Sequence, residues 1–164
     1  MSVPITVILS KADEFSRTYS DDTFFDQLEE GKIGEEEFCT DELSFQMLLL
    51  ECYDGFRARL PEDTRHALDE FANCVFWSWR VDNGKQQLDI PLESEGLDSS
   101  YTPASAEKFA SLLHSIDWKS VENSFISTDV LRSPADFRLY YDEWKTVFEK
   151  SSSTGESVFV FVFP

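Results

Sequence analysis

Val3, Ile5, Val7 and Leu9 alternate with Pro4, Thr6 and Ser10 at the start of the chain, the two-residue period of a β-strand. Pro4 has no N–H for a ladder, which predicts a place at the strand's start or on an open edge. At the other end Val158, Phe159, Val160, Phe161, Val162 and Phe163 run without any polar alternation. Six consecutive β-formers want burial on both faces, so this segment predicts a strand inside a sheet. Pairing it with residues 3–9 is the simplest arrangement and ties both ends into one sheet.

Between these strands the spacing is mostly helical. Asp21 or Asp22 predicts a cap for a short helix over residues 22–30, with Gly31 as its stop. Thr40 predicts the cap of the next helix, where Asp41 and Glu42 would suit the positive N-terminal end. Along it Phe45, Leu48, Leu49, Cys52 and Phe56 form one stripe. Leu43, Met47 and Leu50 extend the apolar surface around it, as in a central helix. Pro61 fits the first turn of a further helix, whose inward face is Leu68, Phe71, Ala72 and Val75.

Residues 75–81 read as a continuation of that helix to about residue 80, stopped at Asn83 and Gly84. A strand entering an Asn-Gly hairpin is the alternative. Residues 85–101 read as a loop with at most a short strand at 88–92. Thr102 followed by Pro103 is a cap and first-turn proline, with Phe109, Leu112, Leu113 and Ile116 facing inward. Ser133 and Pro134 repeat the device, with Asp136 three residues beyond the cap. Phe137, Tyr140, Tyr141, Trp144, Val147 and Phe148 then follow at helical spacing. The small polar residues 151–155 read as the end of that helix.

With 164 residues the chain fits one domain, 1–164, able to bury roughly 70% of its unfolded surface without disulfides or structural metal. Its 15 Phe, 5 Tyr and 4 Trp supply that core and argue against disorder. Cys39, Cys52 and Cys74 are odd in number and contain no C-x-x-C pair, so free thiols are expected and no zinc site. No signal peptide is recognisable, and no apolar run approaches the about 20 residues of a membrane span. Cytoplasmic residence is the expectation.

The formal charge is −18, and −12 of it falls in residues 12–54, where fourteen acids meet only Arg17 and Lys32. Phosphate backbones and anionic membranes would be repelled, which disfavours nucleic-acid and membrane partners. Solubility is the simplest account of such a face; a basic protein partner steered towards it is the functional one. Glu35, Glu36, Glu37, Asp41 and Glu42 are the densest acids and the candidate binding residues. Side by side on a helix they would diverge, and no Asp-x-Asp-x-Asp-Gly loop is present to hold a cation.

Residues 101–163 carry a recognisable order. Tyr101, Thr102 and Pro103 open a short helix; Ile116, Asp117 and Trp118 lead to a second. A long aromatic helix from Phe137 to Lys150, a small-residue turn and the final strand follow. This layout resembles the carboxy-terminal part of the YfbM-like family of uncharacterised bacterial proteins. The resemblance implies a compact α+β domain from a bacterium, and brings no catalytic residue with it.

Other chemistry is thinly represented. The two histidines, His66 and His114, are too few for a histidine-rich metal site. His66 has Asp69 and Glu70 within helical reach, which predicts a surface ion pair, while Cys52 or Cys74 nearby would complete the ingredients of a thiol hydrolase. His114 has apolar neighbours and predicts a partly buried or rim position. Phe76, Trp77 and Trp79 read as core before they read as a stacking platform. The six glycines form no phosphate-binding loop, and no nucleophile elbow occurs.

The expected fold is therefore α+β, a helix-rich single domain with a small sheet containing the N- and C-terminal strands. The expected function is non-enzymatic binding of a basic protein, as an immunity or antitoxin protein would do. No catalytic residue, cofactor or metal is assigned, and the oligomeric state is left open. An enzyme or small-ligand binder with a site assembled near Trp77, Trp79, His66 or His114 is the alternative.

Overall fold

The computed structural model describes residues 3–19, 23, 26–27, 36–83, 86–92, 96–125 and 134–162. Four strands form one antiparallel sheet: β1 (Pro4–Ser10), β2 (Glu36–Glu42), β3 (Leu97–Tyr101) and β4 (Ser157–Val162), in the order β2-β1-β4-β3. The helices are α1 (Ala12–Tyr19), α2 (Leu43–Arg57), α3 (Glu62–Val75), α4 (Trp77–Asn83), α5 (Pro103–His114), α6 (Trp118–Ser124) and α7 (Pro134–Thr154). The fold is α+β and helix-rich, and the first and last strands lie side by side at the centre of its sheet.

The unbroken apolar run of β4 is explained by two covered faces. Its register pairs Ile5 with Val162, Val7 with Val160 and Leu9 with Val158, and all six side chains enter the main core under α2, α3, α5 and α7. Alternate positions face the other way. Ile8, Phe159 and Phe161 pack with Phe15 of α1, whose ring stacks on Phe159 at 3.9 Å between centroids. Each strand residue thus has an apolar layer waiting on its side of the sheet. Pro4 opens β1, where no ladder bond is lost.

Helix α7 buries Phe137, Tyr140, Tyr141, Trp144, Val147 and Phe148, the aromatic stripe that the spacing predicts. It runs on through Ser151 to Thr154, farther than the polar composition of that stretch suggests, and stops where Gly155 takes φ +74°. There the Gly155 N–H donates to the Ser151 carbonyl, a left-handed cap that glycine adopts without strain. At α5 the Thr102 hydroxyl accepts from the Ser105 N–H at 3.3 Å, and Pro103 follows at the first turn. Ser133 and most of the helix expected over 22–30 lie outside the described residues; Asp26 and Gln27 there are helical.

Three sequence expectations need correction. Thr40 does not cap a helix: Thr40, Asp41 and Glu42 finish β2, and α2 begins at Leu43. The loop reading of residues 85–101 misses β3, although residue 88 does touch it through a single bridge to Ser100. Helix α2 is not apolar all round, since Met47 is 49% exposed while Leu49, Cys52 and Phe56 face inward.

Residues 75–81 are helical with one break. Phe76 is extended at φ −88° and ψ 108°, which ends α3 and lets α4 restart in a new direction. The break is held by buried Gln46, whose amide donates to the Val75 carbonyl at 3.0 Å and to the Tyr140 hydroxyl at 2.6 Å. Its carbonyl oxygen accepts from the Trp77 N–H at 3.3 Å. One side chain therefore satisfies backbone groups that a helix break would leave orphaned.

Candidate functional site

The candidate acids fall at one edge of the sheet. Glu36, Glu37, Asp41 and Glu42 are all in β2, which has β1 as its one strand partner among the described residues. The register sets Glu36 opposite Leu9, Glu37 opposite Ile8 and Glu42 opposite Pro4. Glu35 lies outside the described residues. Four of the five acids thus share one extended segment, where the sequence reading placed Asp41 and Glu42 on a helix.

The histidines are not brought together with the thiols. His66 is exposed on α3. Its expected partner Asp69 is taken instead by Arg57, whose Nε and Nη2 donate to the two carboxylate oxygens at 2.7 and 2.6 Å, and by the Tyr53 hydroxyl at 2.5 Å. Burial pushes the Asp69 carboxyl up, but these donors more than reverse it and hold it below the usual range. Cys52 and Cys74 are buried free thiols, and burial drives the Cys74 thiol far above its ordinary value, so a thiolate is disfavoured there. His114 is exposed rather than partly buried, and its Nε2 sits 2.6 Å from Glu149 Oε1. Among the described residues no group of three or more His, Cys, Asp or Glu is placed to hold a metal ion.

The aromatic cluster splits three ways. Phe76 is in the core, Trp77 is 38% exposed, and Trp79 is clamped between chain elements. The Arg57 guanidinium lies 5.5 Å over the Trp79 ring, and the indole N–H donates to Asn73 Oδ1 at 3.0 Å. Trp79 works as a strut between α2, α3 and α4, not as an open stacking surface.

A concavity of about 470 Å³ opens elsewhere, lined by Glu70, Asn73 and Cys74 of α3, by residues 86–89 and by Phe109 of α5. Behind it Arg80 and Asp98 form a buried ion pair, and the Arg80 Nη1 also donates to the Cys74 carbonyl at 2.6 Å. Nothing in the sequence reading singled out Gln86, Gln87 or Asp89. The one available signal was their polarity in a stretch that returns to the sheet.

Comparison with known proteins turns on this architecture: a central antiparallel pair made from the first and last strands, most helices over one face with α1 on the other, and a long aromatic helix feeding the last strand. The fold is similar to that of YfbM. The crystal structure of that Escherichia coli protein of unknown function superimposes with a TM-score of 0.54, covering 98% of this chain and 99% of that one at 11% sequence identity. The likeness to YfbM therefore extends well beyond residues 101–163, where the sequence pattern alone suggested it, into β1, α2 and α3. At 11% identity it concerns the fold, and no site residue is carried from YfbM. No family model matches the sequence, and no curated protein matches it significantly.

Proposed function

We propose that this protein is a non-enzymatic interaction module that captures a basic protein partner along β2, in the manner of an immunity or antitoxin protein in a bacterial cytoplasm. The observation that supports this reading is the position of the acids. The part of the chain with net charge −12 includes the strand at the end of the sheet order, and that strand carries Glu36, Glu37, Asp41 and Glu42. An outer strand retains backbone groups that can pair with an incoming chain, while its charges turn away copies of itself and other acidic proteins. A positive partner is accelerated by the same field. Among the described residues no helix is long and apolar enough to cross a membrane.

The test is capture from the native host at low and high salt, followed by kinetics with a variant carrying Glu35→Gln, Glu36→Gln, Glu37→Gln, Asp41→Asn and Glu42→Gln. Association of the parent should slow steeply with salt, because the Debye length falls from about 10 Å at 0.1 M to about 3 Å at 1 M. The variant should associate more slowly at low salt with its melting temperature nearly unchanged. A variant that binds as fast as the parent reduces the acidic strand to a solubility device.

A further inference from the structure

We propose that α3 and α4 form a two-state joint, in which the bend at Phe76 exchanges with one continuous helix and buried Gln46 is the latch that holds the bent form. The joint lies away from β2 and does not depend on the partner reading above. No glycine or proline interrupts residues 62–83, and the periodicity predicts a single helix to about residue 80. The bend is therefore imposed on this segment from outside it.

The backbone bonds on either side of the bend are those of a normal helix. The Phe76 N–H donates to the Ala72 carbonyl at 3.0 Å, and the Arg80 N–H donates to the Phe76 carbonyl at 3.2 Å. A continuous helix would add three bonds that span Phe76, from the N–H groups of Trp77, Ser78 and Trp79 to the carbonyls of Asn73, Cys74 and Val75. The extended Phe76, at ψ 108°, turns those amides away. Side chains take the three carbonyls instead. Arg80 Nη1 donates to the Asn73 carbonyl at 3.3 Å and to the Cys74 carbonyl at 2.6 Å, which also accepts from the Tyr101 hydroxyl at 2.7 Å. The Gln46 amide donates to the Val75 carbonyl at 3.0 Å. Each acceptor is thus satisfied in both forms, by side chains when the chain bends and by its own amides when it is straight. Two arrangements that both satisfy the backbone make an element bistable, not merely loose.

What favours the bent form is tertiary. It buries Phe76 against the Phe71 and Tyr140 rings, each 5.8 Å away between centroids, and it pairs Arg80 with Asp98. Gln46 contributes two bonds that belong to the bend alone, to the Val75 carbonyl and from the Trp77 N–H. Its third bond, to the Tyr140 hydroxyl, aims the amide at the joint. Against the bend stands a buried guanidinium whose Nε has no hydrogen-bond partner. Straightening swings Arg80 away from Asp98. Because that ion pair lies behind the cleft lined by Asn73 and Cys74, the state of the joint is transmitted to the back of the cleft.

Backbone NMR of the full chain tests this. In the parent the Phe76 carbon shifts should be those of an extended residue, and relaxation dispersion at residues 76–80 should report a minor state in which Phe76 is helical. Gln46→Leu removes both bonds specific to the bend and should raise that minor population at least about tenfold, the effect of leaving one buried group unsatisfied. Trp77→Pro acts in the opposite direction. It loses only the long bond to Gln46, it follows a residue already extended, and proline suits the first turn of α4 but not the interior of a longer helix. This variant should fold without dispersion, and added to Gln46→Leu it should return Phe76 to extended shifts. A Phe76 that stays extended in Gln46→Leu, a minor state with unfolded shifts, or dispersion that survives Trp77→Pro would overturn the proposal. If Gln46→Leu does not fold, a parent without dispersion overturns it as well.

Discussion

Asp98→Ala is expected to be among the most damaging single substitutions in the protein, although it removes no hydrophobic side chain. Arg80 and Asp98 are 5% and 8% exposed, and the Arg80 Nη2 donates to Asp98 Oδ2. The guanidinium is already under-supplied. Its Nη1 reaches the Cys74 carbonyl at 2.6 Å and the Asn73 carbonyl at 3.3 Å, but its Nε is buried without a hydrogen-bond partner. Desolvation pulls the Arg80 pKa down from its ordinary value, so the charge is tolerated there at a cost. Removing the carboxylate leaves that cation buried and unpaired, which typically destabilises by about 3–5 kcal/mol. For a domain of this size each kcal/mol lowers the melting temperature by about 2–4 °C, so a fall of roughly 6–20 °C is expected.

The companion variant makes the reasoning sharper. Arg80→Met combined with Asp98→Ala removes the orphaned cation as well, and should be more stable than Asp98→Ala alone despite carrying one change more. The Cys74 carbonyl would still accept from the Tyr101 hydroxyl at 2.7 Å, and the Ser99 hydroxyl would lose only a long 3.4 Å bond to Asp98. Calorimetric or circular-dichroism melting of the three proteins at neutral pH decides it. A shift under about 3 °C for Asp98→Ala, or a double variant that melts lower than the single one, would refute the account.

Two further outcomes concern the Asp69 ion pair and the last strand. The Asp69 pKa is lowered in the folded protein, so its contribution is complete above the unfolded value of about 3.9 and is lost as pH falls through the folded value. Asp69→Asn should melt lower than the parent at neutral pH, and the two melting curves should converge below about pH 4; a constant gap down to low pH would contradict this. Deleting residues 157–164 removes five fully or almost fully buried side chains, Val158 to Val162, worth roughly 7–15 kcal/mol, as much as the whole net stability of a domain. The product should be insoluble or molten, and a truncated monomer with an unchanged melting temperature would show that β4 is dispensable.

What was legible in the sequence was whatever repeats. The apolar runs of β1 and β4, the aromatic stripe of α7 and the Thr102-Pro103 start of α5 each announce themselves within a few residues. The strands that escaped notice are the ones built from polar residues. In β3, Asp98, Ser99 and Ser100 are at least 92% buried, yet nothing local marks them for the interior. Their burial depends on partners far along the chain: Arg80 for Asp98, and the Ile90 backbone for Ser100. In β2 the run of acids argues against a strand, and Thr40-Asp41-Glu42 imitates a helix start so well that the local signal points the wrong way. Likewise the break at Phe76 is fixed by Gln46, thirty residues earlier, and not by any glycine or proline.

The same distinction applies with more force to the cleft. Its amides and carboxylates come from α3 and from residues 86–89, and each is ordinary when considered by itself. Asp89 becomes a fixed anion because Ser105 and Thr102, sixteen and thirteen residues later, and Gln87 turn their donors towards it. The Gln86 amide is held by the Asp98 carbonyl, and the Gln87 amide by Asp89 and Ser105. A sequence states which hydrogen-bonding groups a chain owns, whereas a binding site consists of those that folding leaves unspent. That remainder is set by long-range partnerships, which is why no local run of residues in this chain marks the cleft.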